Sequence, residues 1–199
     1  RLHPHGDSAI YDALVRLVQP WTMRLPLIDG HGNFGSLDDG PAAMRYTECR
    51  LAPSAETVTT SLKEDVVDFV PNYDGRELEP VVMPAAVPLL LVNGAAGIAV
   101  GMATNMPPHN LGEVCAAAKL LLRRPRSKLE DLMELVPGPD LPSGGQIMGL
   151  DGIRDAYATG KGAFRMRATT RIEQVSTRHQ GTVITALPYG VGPERLIEK

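Results

Sequence analysis

The chain has little of what would make it a stapled, membrane-spanning or wholly basic protein. Its two cysteines, Cys49 and Cys115, lie far apart, match no metal or redox spacing and are too few for a disulfide framework. They read as buried thiols in a reducing intracellular setting. No apolar run reaches the ~20 residues a membrane helix needs; the most apolar stretch, 81–106, is broken by Pro84, Pro88, Asn93 and several glycines. Positive charge is not in excess either. With 20 Lys and Arg against 23 Asp and Glu the net charge is -3, which excludes a basic coat that binds nucleic acid over its whole surface. Any such contact must be local, and Arg1, Arg16, Arg24, Arg45 and Arg50 are the basic residues of the first third that would form it. Neither an apolar leader nor an initiator Met opens the chain, and its last residues read as the start of a helix, so a piece of a longer polypeptide is expected. The hydrophobic fraction of 43% is ordinary for a folded protein with a core.

The pattern predicts a helix from Asp7 or Ser8, acting as N-cap, to Gln19-Pro20. Ala9, Ile10, Ala13, Leu14, Leu17 and Val18 form its apolar stripe, and Ser8, Asp12, Arg16 and Gln19 its polar face. Residues 29–36 and 38–41 are dense in turn formers and predict an exposed loop. A helix over 52–64, with Ala55, Val58, Leu62 and then Val66 on one side, is broken by Asn72-Tyr73-Asp74-Gly75. From about Val81 short apolar β-like runs follow, then helices over 111–123, 128–135 and 152–159. Two alternating segments, 163–172 and 182–187, read as antiparallel strands. A soft boundary falls near residue 80.

Arg45-Tyr46-Thr47-Glu48, beside the turn-rich loop, and the opening His3-Pro4-His5-Gly6-Asp7 are the constellations that could carry chemistry. A tyrosine next to an arginine is ordinarily a packing residue beside a surface charge. The alternative is a phenolic nucleophile, with the Arg45 fork holding phosphate oxygens. His3 and His5, two apart with no acidic or cysteine cluster, make a poor zinc site, whereas a histidine at a helix N-terminus is well placed to meet a phosphate. The segment 94–101 fits neither the dinucleotide nor the lysine-bearing phosphate-loop pattern and reads as close backbone packing.

Several strings, in register along the chain, resemble the breakage-reunion subunit of bacterial type IIA DNA topoisomerases. They are His3-Pro4-His5-Gly6-Asp7-Ser8, Gly32-Asn33-Phe34-Gly35-Ser36, Ala42-Ala43-Met44-Arg45-Tyr46-Thr47-Glu48, Asp68-Phe69-Val70-Pro71-Asn72-Tyr73-Asp74-Gly75, Leu91-Val92-Asn93-Gly94, the run from Gly97 to Asn105 with Pro107-Pro108-His109-Asn110, and Pro137-Gly138-Pro139-Asp140. The resemblance implies an α+β chain: a partial winged-helix domain over 1–80 carrying the tyrosine, and a partial α/β tower domain over 81–199. It also implies Tyr46 as the nucleophile that forms a 5′-phosphotyrosyl link, Arg45 as its phosphate-stabilising neighbour and His5 as a further phosphate contact. His3, Ser8 and Arg16 would face DNA. Ile98 would wedge between base steps, its alternative being an ordinary core isoleucine. Ser8 and Asp12 match the serine and acidic residue, one helical turn apart, through which fluoroquinolones engage this family by a water-metal bridge.

In that family the breakage-reunion chain forms a homodimer within an A2B2 assembly on double-stranded DNA in the bacterial cytoplasm, at the nucleoid. The partner B subunit supplies the ATPase, with its ATP, and the TOPRIM domain that carries Mg²⁺; no metal site is expected in this chain, and the segment alone is expected to be inactive. The short stretch 37–41, Gly30-His31-Gly32 and Pro84-Ala85-Ala86 lean towards topoisomerase IV of Gram-positive or actinobacterial type, with DNA gyrase as the alternative. Leu89 and Ala186 depart from the common Asn and acidic residue at those places. The competing readings are a winged-helix module that binds DNA without cutting it and a metal-dependent hydrolase built on the histidines.

Overall fold

A computed structural model describes residues 3–84 and 86–198; Arg1 of the expected basic patch, Ala85 of the Pro84-Ala85-Ala86 string and the terminal Leu2 and Lys199 lie outside the described residues. Helices alternate with antiparallel two-stranded sheets. The chain divides into two compact units, Arg1–Leu89 and Leu90–Lys199, and the division falls inside a short helical turn, Leu89–Val92.

The first unit opens with α1 (Asp7–Val18), capped by the extended Gly6 and not by Asp7 or Ser8. Asp7 instead stands in the first turn, where its carboxylate accepts the Ser8 N–H at 2.8 Å and suits the positive end of the helix dipole. The helix stops at Gln19 because Pro20 disfavours a helical conformation before it. Its inward face is Tyr11, Leu14, Val15 and Val18, with Val15 buried. Ala9, Ile10 and Ala13 are exposed, contrary to the expected stripe, because among the described residues the helix packs on one narrow sheet that covers only part of its apolar arc. Gln19 leaves the expected polar face, its Nε2 donating to the Phe34 carbonyl at 2.9 Å.

That sheet pairs β1 (Ile28–His31) antiparallel with β2 (Glu48–Leu51) in the register Ile28↔Leu51 to His31↔Glu48. The residues read as the start of a loop are thus a strand. Gly30 reads as a turn former, yet it serves close packing: a Cβ there would stand 2.6 Å from the Phe34 ring and 2.7 Å from Val18 Cγ1. Arg50 Nε reaches the Asp29 carboxylate across the pair at 2.7 Å. β2 is exposed throughout, Cys49 included, which corrects its reading as a buried thiol; Cys115 is half-buried.

Pro53 starts α2 (Pro53–Thr59), which buries Ala55 and Val58 and passes into a 3-10 turn, Thr60–Glu64. The expected single helix is cut short for a chemical reason. The Thr57, Thr59 and Thr60 hydroxyls donate to carbonyls three or four residues back, a competition with helical bonding that β-branched residues accentuate. Asp65, with φ +55, ends the turn and leaves Val66 exposed. What reads as a helix breaker at Asn72 is a hairpin bend joining β3 (Phe69–Pro71) and β4 (Leu78–Pro80). The buried Asn72 side chain organises it, Oδ1 accepting the N–H groups of Arg76 and Glu77 at 3.1 and 3.2 Å.

α3 (Leu89–Val92), a helical turn where β-like sequence was expected, leads into the second unit. There β5 (Ala95–Ala99) and β6 (Met102–Met106) form a tight hairpin turned at Val100-Gly101, and α4 (Leu111–Arg123) starts from a genuine cap, Asn110 Oδ1 accepting the Glu113 N–H. α5 (Leu129–Met133), β7 (Gln146–Met148), α6 (Asp151–Thr159) and β8 (Arg165–Arg167) follow, β7 pairing with β8. β9 (Thr169–Ser176) pairs antiparallel with β10 (His179–Ala186), the expected pairing with other bounds, since 165–167 of the expected strand 163–172 pairs with β7; the short α7 (Pro193–Ile197) follows. Val92 and Ile153 are the most deeply buried side chains here.

Candidate active site

The loop between β1 and β2 carries the candidate nucleophile. It is tied back on itself: Ala42 N–H donates to the Asn33 carbonyl, Ser36 N–H to the Asp39 carbonyl, and Ser36 Oγ accepts the Asp38 and Asp39 N–H groups. Phe34 is its buried anchor. Near its end, Met44–Tyr46 coil into one 3-10 turn closed by Tyr46 N–H to the Ala43 carbonyl and Thr47 N–H to the Met44 carbonyl. This turn presents Tyr46 outward at 65% exposure, and its phenol oxygen has no hydrogen-bond partner among the described residues. The Arg45 guanidinium lies over the Tyr46 ring at 4.6 Å from the centroid, a cation-π contact. Gly32, at φ +108, allows the strand to pass under the turn, since a Cβ would come within 2.8 Å of the Tyr46 carbonyl oxygen.

Tyr11, which sequence reasoning passed over, ties this turn to α1. Its hydroxyl lies 2.9 Å from the Ala42 carbonyl and 3.0 Å from Thr47 Oγ1, one contact on either side of Met44–Tyr46. Tyr11 O–H donates to Ala42 and Thr47 O–H to the Met44 carbonyl at 3.1 Å, so in the Tyr11–Thr47 contact one of these two protons is shared. The available signal was a lone tyrosine in register with Leu14, Val15 and Val18, because a half-buried hydroxyl seeks a partner.

His3 and His5 precede α1 and stack with ring centroids 4.6 Å apart, both exposed. Ser8, Asp12 and Arg16 are exposed at four-residue intervals on α1, one face of the helix. Ile98 belongs to the second unit. It is 95% exposed near the end of the β5–β6 hairpin, whose turn residue Val100 is fully exposed, so it is not a core isoleucine. The glycine segment that invited a nucleotide-loop reading is this hairpin: Gly94 packs tightly on the Met106 carbonyl, with no room for a Cβ.

A family profile described as the A subunit of DNA gyrase/topoisomerase IV matches residues 1–199. The chain belongs to this family. It is 56% identical to the DNA gyrase A subunit of a Nocardioides species over 202 aligned positions, covering 99% of the chain and 22% of that protein. To the gyrase A subunit of Rickettsia conorii it is 54% identical, covering 100% of the chain and 22% of the relative, and to that of Chlamydia pneumoniae 53%, covering 99% and 24%. The chain thus spans about a quarter of the length of the curated relatives it matches.

The family takes in both enzymes and does not separate them; the relatives named here carry the gyrase name, which favours the gyrase alternative over the leaning towards topoisomerase IV. Loop length was a poor guide. Alignment with the gyrase A subunit of a Synechocystis strain runs over 207 positions at 53% identity against the 199 residues of this chain, so related gyrase chains absorb insertions, as surface loops readily do. Among the described residues no group of three or more His, Cys, Asp or Glu side chains is placed to hold a metal ion. No helix among the described residues is long and apolar enough to cross a membrane.

Proposed function

We propose that this chain is part of the DNA-cleaving A subunit of a bacterial gyrase, with Tyr46 as the residue that becomes joined to DNA. The observation that carries the proposal is an exposed phenol on a rigid turn with an arginine against its ring, in a chain of this family. The Tyr46 oxygen attacks a backbone phosphorus and displaces the 3′ oxygen of the preceding nucleotide, which takes a proton and leaves as a hydroxyl. One phosphodiester is exchanged for another, so the same hydroxyl reseals the strand without outside energy. Arg45 supplies a planar fork of donors for the non-bridging oxygens. His5, with His3 beside it, and the open N-terminus of α1 favour the neighbouring phosphates, while Ser8 and Arg16 face the duplex.

On this reading residues 1–80 are part of a winged-helix domain, with α1 and the β1–β2 sheet as its elements, and the remainder is part of a tower domain. Ile98 at its hairpin enters a base step and bends the duplex. Two copies of the chain, cutting opposite strands, work with a B subunit in an A2B2 assembly at the nucleoid in the cytoplasm. That partner would bind ATP and hold the Mg²⁺, whose contribution there would be charge stabilisation at the leaving oxygen.

The test uses the full-length protein with its partner and magnesium. Tyr46→Phe should abolish the covalent protein-DNA adduct while duplex affinity stays within about twofold. No adduct from the wild-type assembly would instead leave a module that binds DNA without cutting.

A further inference from the structure

Charge is not shared evenly between the two units. Arg1–Leu89 carries 7 Lys and Arg against 13 Asp and Glu, net -6, whereas Leu90–Lys199 carries 13 against 10, net +3. The densest part of the positive unit is the connection between α4 and α5, Arg123-Arg124-Pro125-Arg126-Ser127-Lys128, with four cationic side chains in six residues and no acid among them. All four are exposed. None forms an ion pair among the described residues, although Glu130 and Asp131 follow at once in sequence.

The backbone beneath them is fixed. Ser127 bonds the Arg124 carbonyl twice, through N–H at 3.0 Å and Oγ at 2.8 Å, and Lys128 N–H donates to the Asp131 carboxylate at 2.9 Å. Arg124, Pro125, Arg126, Ser127 and Asp131 line an open concavity of about 400 Å³ at this bend. A cation in the last turn of α4 complements the helix dipole, which accounts for Arg123 alone. Arg124, Arg126 and Lys128 lie beyond the helix, where no such benefit applies.

We infer that this bend is a second DNA contact, one that holds the phosphate backbone without regard to base sequence. The inference rests on the DNA reading above. Duplex DNA is favoured over an acidic protein because three of the four cations are arginines, whose forks match phosphate oxygens, and because backbone contact needs charge in a row and no apolar anchor. Leu122, 83% exposed beside the bend, is the one feature that would suit an acidic protein.

The full-length protein is assembled with its partner, without magnesium so that no strand is cut, and its affinity for a long linear duplex is measured across a salt series. The variant replaces Arg123, Arg124, Arg126 and Lys128 by Gln; a control replaces Arg154, Lys161, Arg165 and Arg178 by Gln. Each phosphate neutralised contributes about 0.9 to the log-log salt slope, so the variant should lose about 3 to 4 for each copy of the chain engaged on the duplex and bind at least about tenfold more weakly at moderate salt, with the control changing markedly less. An unchanged slope overturns the inference, and so does an equal loss in the control, which would mean bulk charge and no site. Unchanged DNA binding with lost affinity for polyglutamate would assign the bend to an acidic protein and overturn it too. If the wild-type assembly binds no duplex at all, the functional reading itself fails, a result distinct from the others.

Discussion

Tyr46 owes its position to Tyr11 as much as to its own turn. With the Tyr11 hydroxyl removed, the Ala42 carbonyl and Thr47 hydroxyl on either side of Met44–Tyr46 lose a shared partner, and the phenol can drift by a fraction of its own size. Misplacement on that scale is costly to an in-line attack. Tyr11→Phe should therefore slow adduct formation about 10- to 100-fold while leaving duplex affinity unchanged, as measured by cleavage rate beside equilibrium binding. Equal loss of both would point to a damaged fold. Ser8 and Asp12 stand exposed one turn apart on the same helix, and on the proposed function that pair makes the fluoroquinolone contact. Ser8→Leu should markedly reduce fluoroquinolone-stimulated cleavage complexes, and an unaltered drug response would dismiss that pair. The prominence of Arg45-Tyr46 was legible in the sequence. The support from Tyr11 was not, because its partners are residues 42 and 47, and no local pattern announces a pairing across so many positions.

In the second unit, His109, between β6 and α4, ties α3 to α6 through one polar pair. His109 is 4% exposed, its Nδ1 is 2.9 Å from the Leu91 carbonyl and its Nε2 is 2.6 Å from the Tyr157 hydroxyl. The carbonyl can only accept, so Nδ1 carries the proton and Nε2 accepts from Tyr157. Burial, and then the Glu113 carboxylate, push the Tyr157 phenol from 10.0 up to about 12. The folded chain thus keeps a proton that the unfolded chain loses. The stabilisation is intact below about pH 10 and is lost as pH rises towards 12. Thermal melts across that window should fall for the wild type, and Tyr157→Phe should flatten the decline while costing about 1 to 3 kcal/mol at neutral pH through an unpaired His109 nitrogen. Elements were legible where local chemistry decided them: α4 begins at the Asn110 cap and α6 keeps its bounds within a residue. They were not legible where tertiary contact decided. β1 reads as turn because Asp29, Gly30 and His31 are poor strand formers, and only Phe34 and Val18 closing over Gly30 explain why it is a strand.

The ordinary hydrophobic fraction promised more of a core than the described residues bury. Among the described residues, exposed large apolar side chains far outnumber buried ones, with Val81, Val82 and Met83 exposed in sequence. Composition counts apolar residues but does not say how much surface is there to cover them. Charge misled in a similar way. The net value of -3 correctly excluded a uniform basic coat, yet the basic patch sought in the first third belongs to the negative unit, and the positive excess lies in the second. Sequence strings identified the family because they are short, ordered and chemically specific. Loop length leaned towards topoisomerase IV where the relatives' names favour gyrase, and loops are where length is free to vary.

The arch that bears Tyr46 stands on two feet, β1 and β2, that are stitched to each other, and one phenol from the helix beneath clasps it on both sides. A severed DNA end tethered to such an arch would be moored and not merely attached. The phosphorus would wait within reach of the hydroxyl that must reclaim it, so that an open break in a chromosome stays a pause and does not become a loss.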